Sequence, residues 1–276
     1  MNLFCKPEDP VLDLLHRELS ANISRVPDGR LEPLMVLELP PRGKPRLRTT
    51  LANIVDWTED VALDKTFFQT KPLASISGER TTSTDASFGL KILSGFLKGF
   101  GASLPNLRAH FKDVIKVSFS FENVKITWLD NGLLGKSLIN CKVSRGNPMT
   151  ADFFGDPPAK LLVVDAVITS TNFSFHVEET ASDKFSIDME AIKKELGQAE
   201  VKLQAEEAGQ RTVMFKGTKP LPFAFTCLLL KLDDKGNILA MPVFRPRGPL
   251  TFTGGPQENF QKYQISAEPA LLELED

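Results

Sequence analysis

A chain of 276 residues, 42% hydrophobic and 25% charged, can bury a sizeable core and has the make-up of a globular protein. Its formal net charge of −2 excludes a dedicated nucleic-acid binder, which would be strongly basic, and no apolar run reaches the ~18–20 residues of a membrane-spanning helix. Three widely spaced cysteines, Cys5, Cys141 and Cys227, point to a reducing compartment without a disulfide framework, and no secretory signal is visible at the N-terminus.

In chain order, residues 10–19 read as a short helix with Val11, Leu12, Leu15 and Leu19 on one face, and residues 31–39 as a strand. The Pro-rich loop at 40–48 carries Arg42, Lys44, Arg46 and Arg48; it is either a solvated loop or a contact for anionic lipid or a partner. Residues 71–84 are Ser/Thr-rich, strand or loop. From Asp85, a helix N-cap by type, residues 85–104 read as an amphipathic helix. Leu90, Leu93, Phe96, Leu97, Phe100 and Leu104 crowd one side; Ser87, Lys91, Ser94 and Lys98 gather opposite. Gly89, Gly95, Gly99 and Gly101 each weaken that helix by roughly 0.5–1 kcal/mol relative to Ala. The period then becomes two. Val117, Phe119 and Phe121 alternate with polar residues, and after Asn123 the phase flips to Val124, Ile126 and Trp128, which predicts a bulge or bend.

Gly, Asn and Pro punctuate residues 131–160. The stretch 161–179 alternates again, with Thr169, Thr171, Phe173, Phe175 and Val177 on one face and Ser170, Asn172, Ser174 and His176 on a polar one, where His176 is expected to be solvated. A short helix at 188–196, a strand at 199–205, a strand at 212–216 and an apolar strand at 221–232 follow, the last ending in a turn at Asp234, Gly236 and Asn237. Long antiparallel strands with few helices predict an α+β fold. Twenty Phe against one Tyr and two Trp suit apolar surfaces without hydroxyl partners.

The catalytic signals are poor. Gly132-Leu133-Leu134-Gly135-Lys136-Ser137 ends like a phosphate-binding loop, and LLVVD at 161–165 resembles its partner strand. The outer glycine of that motif is Asp130 here, and the required following helix is replaced by a stretch stopped at Gly146 and Pro148. Nucleotide hydrolysis is a remote third alternative. His16, His110 and His176 lack partners at metal-ligand spacing, and no nucleophile elbow is present, so neither a metal site nor an enzyme is expected.

The end of the chain changes character. Arg245-Pro246-Arg247-Gly248-Pro249 is linker chemistry. Five acids against one lysine give residues 248–276 a net charge of −4, leaving +2 for residues 1–247. Phe260, Tyr263, Ile265, Leu271, Leu272 and Leu274 give this tail an apolar side with which to dock. A protease reading a basic residue would meet Pro246 after Arg245 but permissive Gly248 after Arg247, so Arg247 is the expected cut, with Leu250 the alternative for an enzyme preferring an apolar residue.

The order of parts resembles the gasdermins, the bacterial members most closely. The matching segments are Cys5, TSTDASFGLKILSGFLKGFGASLPNL, KVSFSFENVKIT, KLLVVDAVITSTNFSF, a Glu-rich hairpin ending in VMFKG, PFAFTCLLLKL and a short tail. The resemblance implies a twisted, mainly antiparallel central sheet with peripheral helices (residues 1–247) and an inhibitory tail (248–276), far shorter than the inhibitory domain of animal members. It further implies a cytoplasmic monomer cut by a caspase-like or trypsin-like protease. Self-oligomers would then insert β-hairpins into the inner membrane, bind its lipids and cause lytic death as antiphage defence. Phe88, Leu93, Phe96, Leu97 and Phe100 would be the switch that changes from helix to barrel strand, Phe260, Tyr263 and Ile265 the inhibitory contacts, and a palmitoyl group on Cys5 the one covalent addition, with no other cofactor. A non-inserting lipid- or protein-binding module is the rival reading.

Overall fold

A computed structural model describes residues 14–24, 29–57, 67–81, 83–102, 104–181, 187–196, 201–205, 211–239, 262–266 and 271–274. Strands β1 (Asn22–Ser24), β2 (Met35–Leu39), β3 (Arg46–Thr50) and β4 (Val55–Asp56) come first. Next are β5 (Phe68–Pro72), β6 (Thr84–Asp85), helix α1 (Ala86–Gly99), helix α2 (Leu107–His110), β7 (Val114–Glu122) and β8 (Lys125–Leu129). Helix α3 (Asn131–Ser137) and β9 (Lys142–Val143) lead into β10 (Lys160–Thr180). Helix α4 (Met189–Leu196), β11 (Val201–Ala205), β12 (Thr212–Leu232), β13 (Ile238–Leu239) and β14 (Leu271–Leu272) complete the order.

Strands β10 and β12, each of 21 residues, are the spine of a sheet that has 12 strands among the described residues, and they pair antiparallel from Leu161↔Leu230 to His176↔Thr212. The far edge of β10 takes β2, β8 and β7 in turn, and β12 takes β1 and β11. All these pairings are antiparallel; β14 joins β1 parallel. Between Ser170↔Leu221 and Asn172↔Lys216 the register jumps, so residues 217–220 loop out against Thr171. Pro220 has no N–H for the ladder, and the bulge disposes of it without ending the strand. Thus 212–216 and 221–232, read as two strands from sequence, are one.

Burial explains the two halves of β10. Its first residues are a continuous apolar run because both faces are covered: Leu161 and Val163 join a core with Val36, Phe153 and Leu228, while Leu162 and Val164 join one with Leu37 and Phe225. Its second half alternates because the faces differ. Phe173, Phe175 and Val177 enter a phenylalanine-rich core under α1. Phe121 stacks on Phe223 at 4.0 Å between ring centroids, and Phe119 stacks on Phe173 at 5.5 Å. Phe packs here because a buried Tyr hydroxyl would need a partner that the face lacks.

Several expectations change. His176 is buried, its Nδ1 2.8 Å from Thr212 Oγ1, because the polar face of the hairpin closes on itself. Ser118 there donates to the Glu178 carboxylate and Ser174 to Glu122 at 3.0 Å. Of the helix read at 10–19, a π turn forms at Leu14–Glu18, and residues 10–13 lie outside the described residues. The strand at 31–39 starts only at Met35, since Leu34 has φ 73°. Residues 71–84 contribute only the strand ends, with a turn over 74–78. The bend at Asn123 is present, with φ 54°.

The glycines of α1 also need a second explanation. A Cβ on Gly89 would lie 2.2 Å from Val117 Cγ2 and 3.3 Å from Phe175 Cε2, and one on Gly217 would lie 1.9 Å from the Phe100 ring. These positions let helix and strands approach closely. Gly89→Ala should gain about 0.5–1 kcal/mol of helix propensity but lose about 1–3 kcal/mol to overpacking against a rigid strand. A net fall in the denaturation midpoint is expected, while Gly146→Ala, whose Cβ meets nothing within 4 Å, should leave the midpoint in place.

Candidate functional site

Helix α1 is held at three places. At its start the Asp85 carboxylate accepts from Ser87 N–H at 2.8 Å and from the Ser87 hydroxyl. Those bonds, the side-chain one first, hold the Asp85 carboxyl below its ordinary range, with Arg108 adding a favourable charge. Along its length Ile92, Leu93, Phe96 and Leu97 are buried, and Phe96 lies 5.1 Å from Phe173 and 5.0 Å from Phe100. At its end Phe100 N–H donates to the Leu97 carbonyl at 3.1 Å and Gly101 N–H to the Lys98 carbonyl at 2.9 Å, and Gly101 turns the chain at φ 74°. Of the switch residues named from sequence, Leu93, Phe96, Leu97 and Phe100 are buried in one core and Phe88 packs half-buried against it. Ile92 belongs with them and was missed.

Withdrawing five such side chains into water costs on the order of 10 kcal/mol, the whole stability of an ordinary domain. The helix therefore stays unless another apolar medium takes the surface it covers. Beneath it lie the 9-residue β7 and the second half of β10, apolar on the helix side and hydroxyl-rich on the other. A membrane β-strand needs about 9–11 residues of such alternation. No helix among the described residues is long and apolar enough to cross a membrane.

The tail forms the second part of the site. Tyr263 N–H donates to the Cys227 carbonyl at 2.7 Å, and Ile265 N–H donates to Asn22 Oδ1 at 2.8 Å. Asn22 Nδ2 returns a bond to the Tyr263 carbonyl at 3.2 Å, and the Cys227 thiol donates to that carbonyl at 3.3 Å. Burial pushes this thiol well up from its ordinary range, so it remains a neutral donor. His16 Nε2 donates to the Ser266 carbonyl at 3.1 Å, and the Gln264 amide donates to the His16 carbonyl. Lys160 Nζ meets the Tyr263 hydroxyl at 2.5 Å and sits over its ring at 4.8 Å. Leu271 and Leu272 then pair with Ile23 and Ser24, so β14 closes the edge of β1.

Tyr263, Ile265, Leu272 and Leu274 pack on the core of Leu162, Val164 and Phe225, so the tail is the second cover that the doubly apolar run of β10 demands. Sequence reasoning found Tyr263 and Ile265 but not Asn22, His16, Cys227 or Lys160. Only the tertiary fold brings these together, and no local pattern marks them. Phe260, Arg245, Arg247, Leu250 and Cys5 lie outside the described residues.

The basic loop is a hairpin between β2 and β3, and it is engaged within the protein. Arg46 and Arg48 bond the buried Glu38, Arg48 also reaches Asp152 at 2.8 Å, and Lys44 meets Glu273 of the tail at 2.6 Å. The GKS segment ends α3: Asp130 caps the helix through Leu133 N–H at 3.0 Å, placing Lys136 and Ser137 at its C-terminus. A phosphate cradle needs those residues at a helix N-terminus, so the geometry is the reverse of nucleotide binding. Among the described residues no cluster of His, Cys, Asp or Glu could hold a metal ion.

A family model described as the Bacterial Gasdermin Family matches residues 24–237. The chain is 29% identical over 220 residues to a gasdermin bGSDM from Vitiosangium sp. (strain GDMCC 1.1324), covering 79% of this chain and 80% of that protein. It is 24% identical over 254 residues to a gasdermin bGSDM from Lysobacter enzymogenes, covering 88% and 91%. A solved bacterial gasdermin from Bradyrhizobium tropiciagri superposes with a TM-score of 0.60 at 15% identity, over 84% of this chain and 90% of that one, a likeness of fold.

The tail contacts separate into strong and weak. Asn22→Ala leaves the Ile265 amide without its acceptor and takes one of two donors from the Tyr263 carbonyl, a loss of about 1–3 kcal/mol, so hydrogen exchange at the Ile265 amide should quicken by about fivefold or more. Lys44→Ala removes an exposed pair of about 0.2–1 kcal/mol and should quicken the same amide less than about fivefold.

Proposed function

The chain belongs to the bacterial gasdermin family, pore-forming proteins that are not enzymes, and from that premise we propose that it is an autoinhibited pore former released by proteolysis. Residues 1–247 are the pore-forming body and residues 248–276 the inhibitor. The observation that carries this reading is the seat of the tail: it covers an apolar face of the spine and closes the open edge of β1. An uncovered strand edge is a template for another chain. Loss of the tail thus frees both a pairing edge and an apolar surface, the two things that an oligomer entering lipid requires.

Cleavage after Arg247 by a caspase-like or trypsin-like protease removes a net charge of −4 and leaves a body of +2, which anionic lipid attracts. Subunits that are monomeric in the cytoplasm before the cut then pair edge to edge, α1 gives up its helix to lengthen a hairpin, and the strands insert into the inner membrane. Lipid replaces the phenylalanine core as the apolar medium, which offsets the cost of leaving it. Lytic death of the infected cell as antiphage defence is the outcome we propose. A palmitoyl group on Cys5 would add about 0.8 kcal/mol of membrane affinity per buried CH₂.

Dye release from anionic liposomes tests the scheme. The full chain should release dye only after treatment with a basic-specific protease; Arg247→Ala should block that release and Arg245→Ala should not. A cut protein that leaves liposomes intact sinks the pore reading and favours a module that never inserts. An aspartate at Leu93 or Phe96 is a poor probe, since both side chains are core before cleavage.

The lipid on Cys5 is checked separately by intact mass. Protein from its native host should exceed the sequence mass by one fatty-acyl group, and Cys5→Ala should lose that excess and kill less. Equal masses with undiminished killing return Cys5 to the status of an ordinary thiol.

A further inference from the structure

The solvent side of α1 borders a groove of about 320 Å³ between that helix and α2. Its lining has two kinds of surface. Lys91 and Lys98 of α1 and Arg108 of α2 supply three cations, with the Ser87 and Ser94 hydroxyls between them. Leu90, Leu104 and Leu107 supply an apolar floor, the last two buried. Among the described residues no acidic side chain forms an ion pair with any of the three cations. Asp85, on which Arg108 acts, already accepts two bonds from Ser87. Lys91 and Lys98 are seven residues apart, about 10 Å of helix axis, so two long side chains can converge on one group above Ser94.

Two lysines without an ion pair among the described residues and an arginine whose acidic neighbour is the Ser87-bonded Asp85, set beside leucines on a protein of net charge −2, are a local concentration of positive charge. They suit a ligand with a compact anionic head and an apolar body. A phosphate monoester carries about −1.5 to −2 charges and three acceptor oxygens, enough for two lysines and an arginine at once. No aromatic ring lines the groove, so a base would have nothing to stack on. An alkyl chain, by contrast, fits on Leu90, Leu104 and Leu107. We propose that the groove binds a phosphate-headed single-chain amphiphile, its head held by Lys91, Lys98 and Arg108 and its alkyl chain laid along the leucines. Such a ligand ties α1 to α2 and so stabilises the helical form of the segment. Binding needs neither the tail nor its cleavage, although the helix it holds is the segment that the proposed function turns into strand.

The test uses the uncut full chain and dodecyl phosphate below its micelle concentration, read by titration calorimetry and by the thermal midpoint. Saturable one-to-one binding with a raised midpoint is expected. Lys98→Gln, an exposed change that leaves the core alone, should weaken binding about tenfold, and Lys91→Gln with Lys98→Gln about a hundredfold. Lys142→Gln, outside the groove, should bind as the parent does. Inorganic phosphate, which lacks the alkyl chain, should bind at least a hundredfold more weakly. Dodecyltrimethylammonium, with the opposite charge, should not bind at this site. The proposal is overturned if the parent chain does not bind dodecyl phosphate, if the double variant binds it as tightly, or if inorganic phosphate matches it.

Discussion

The inner half of the molecule depends on the seam where α1 meets the phenylalanine face of β7 and β10. Phe96 touches Phe173 and Phe121 there, and Gly89 brings the helix backbone onto Val117. Gly89, one of the glycines that make the helix weak on its own, lets it lie close enough to be held by packing. Its stability is thus tertiary: about 1 kcal/mol of propensity per glycine is given up, and the burial of five large side chains outweighs it. A helix of that kind is firm while its partner face is present and has little reason to persist without it. On the proposed function, this is the property required of a segment that is helix in one environment and strand in another.

The outer half depends on a different cover. The start of β10 is apolar on both faces, and one of those faces is closed by a few residues from the end of the chain. So small an element holds because its polar contacts are inside. Asn22 bonds both the Tyr263 carbonyl and the Ile265 amide, and the Cys227 carbonyl takes the Tyr263 amide. The exposed Lys44–Glu273 pair adds little, as such pairs do in water. The tail is at once a face cover and an edge strand, so on the proposed function a single cut before it releases two surfaces together.

Periodicity carried much of this in the sequence. The two alternating regions became β7, β8 and β10, the Asp85 cap and the start of helix α1 fell where residue type and spacing put them, and the phase flip became the bend at Asn123; the helix read to residue 104 stops at Gly99, where Gly101 turns the chain. Each of these is a local property: side-chain direction along a strand or helix follows from backbone geometry within a few residues. The order of such segments also sufficed to reveal the family. Where the reading slipped, distant neighbours decided. His176 looked solvated because its strand face is polar, yet Thr212 and the paired carboxylates close that face.

What the sequence determined by itself, then, was the start of helix α1, the long strands β7, β8 and β10 and the apolar sides they present; that residues 161–164 are apolar on both faces and need a second cover emerged only with the structure. Tertiary structure alone decided which element meets that need, that Asn22 and His16 pin the tail, that Gly89 is a contact as much as a helix breaker, and that three cations from two helices border one groove. The physical reason is range. Backbone geometry and hydrophobic period act over a few residues, whereas a hydrogen bond from residue 265 to residue 22 exists only once the whole sheet has brought them within 3 Å.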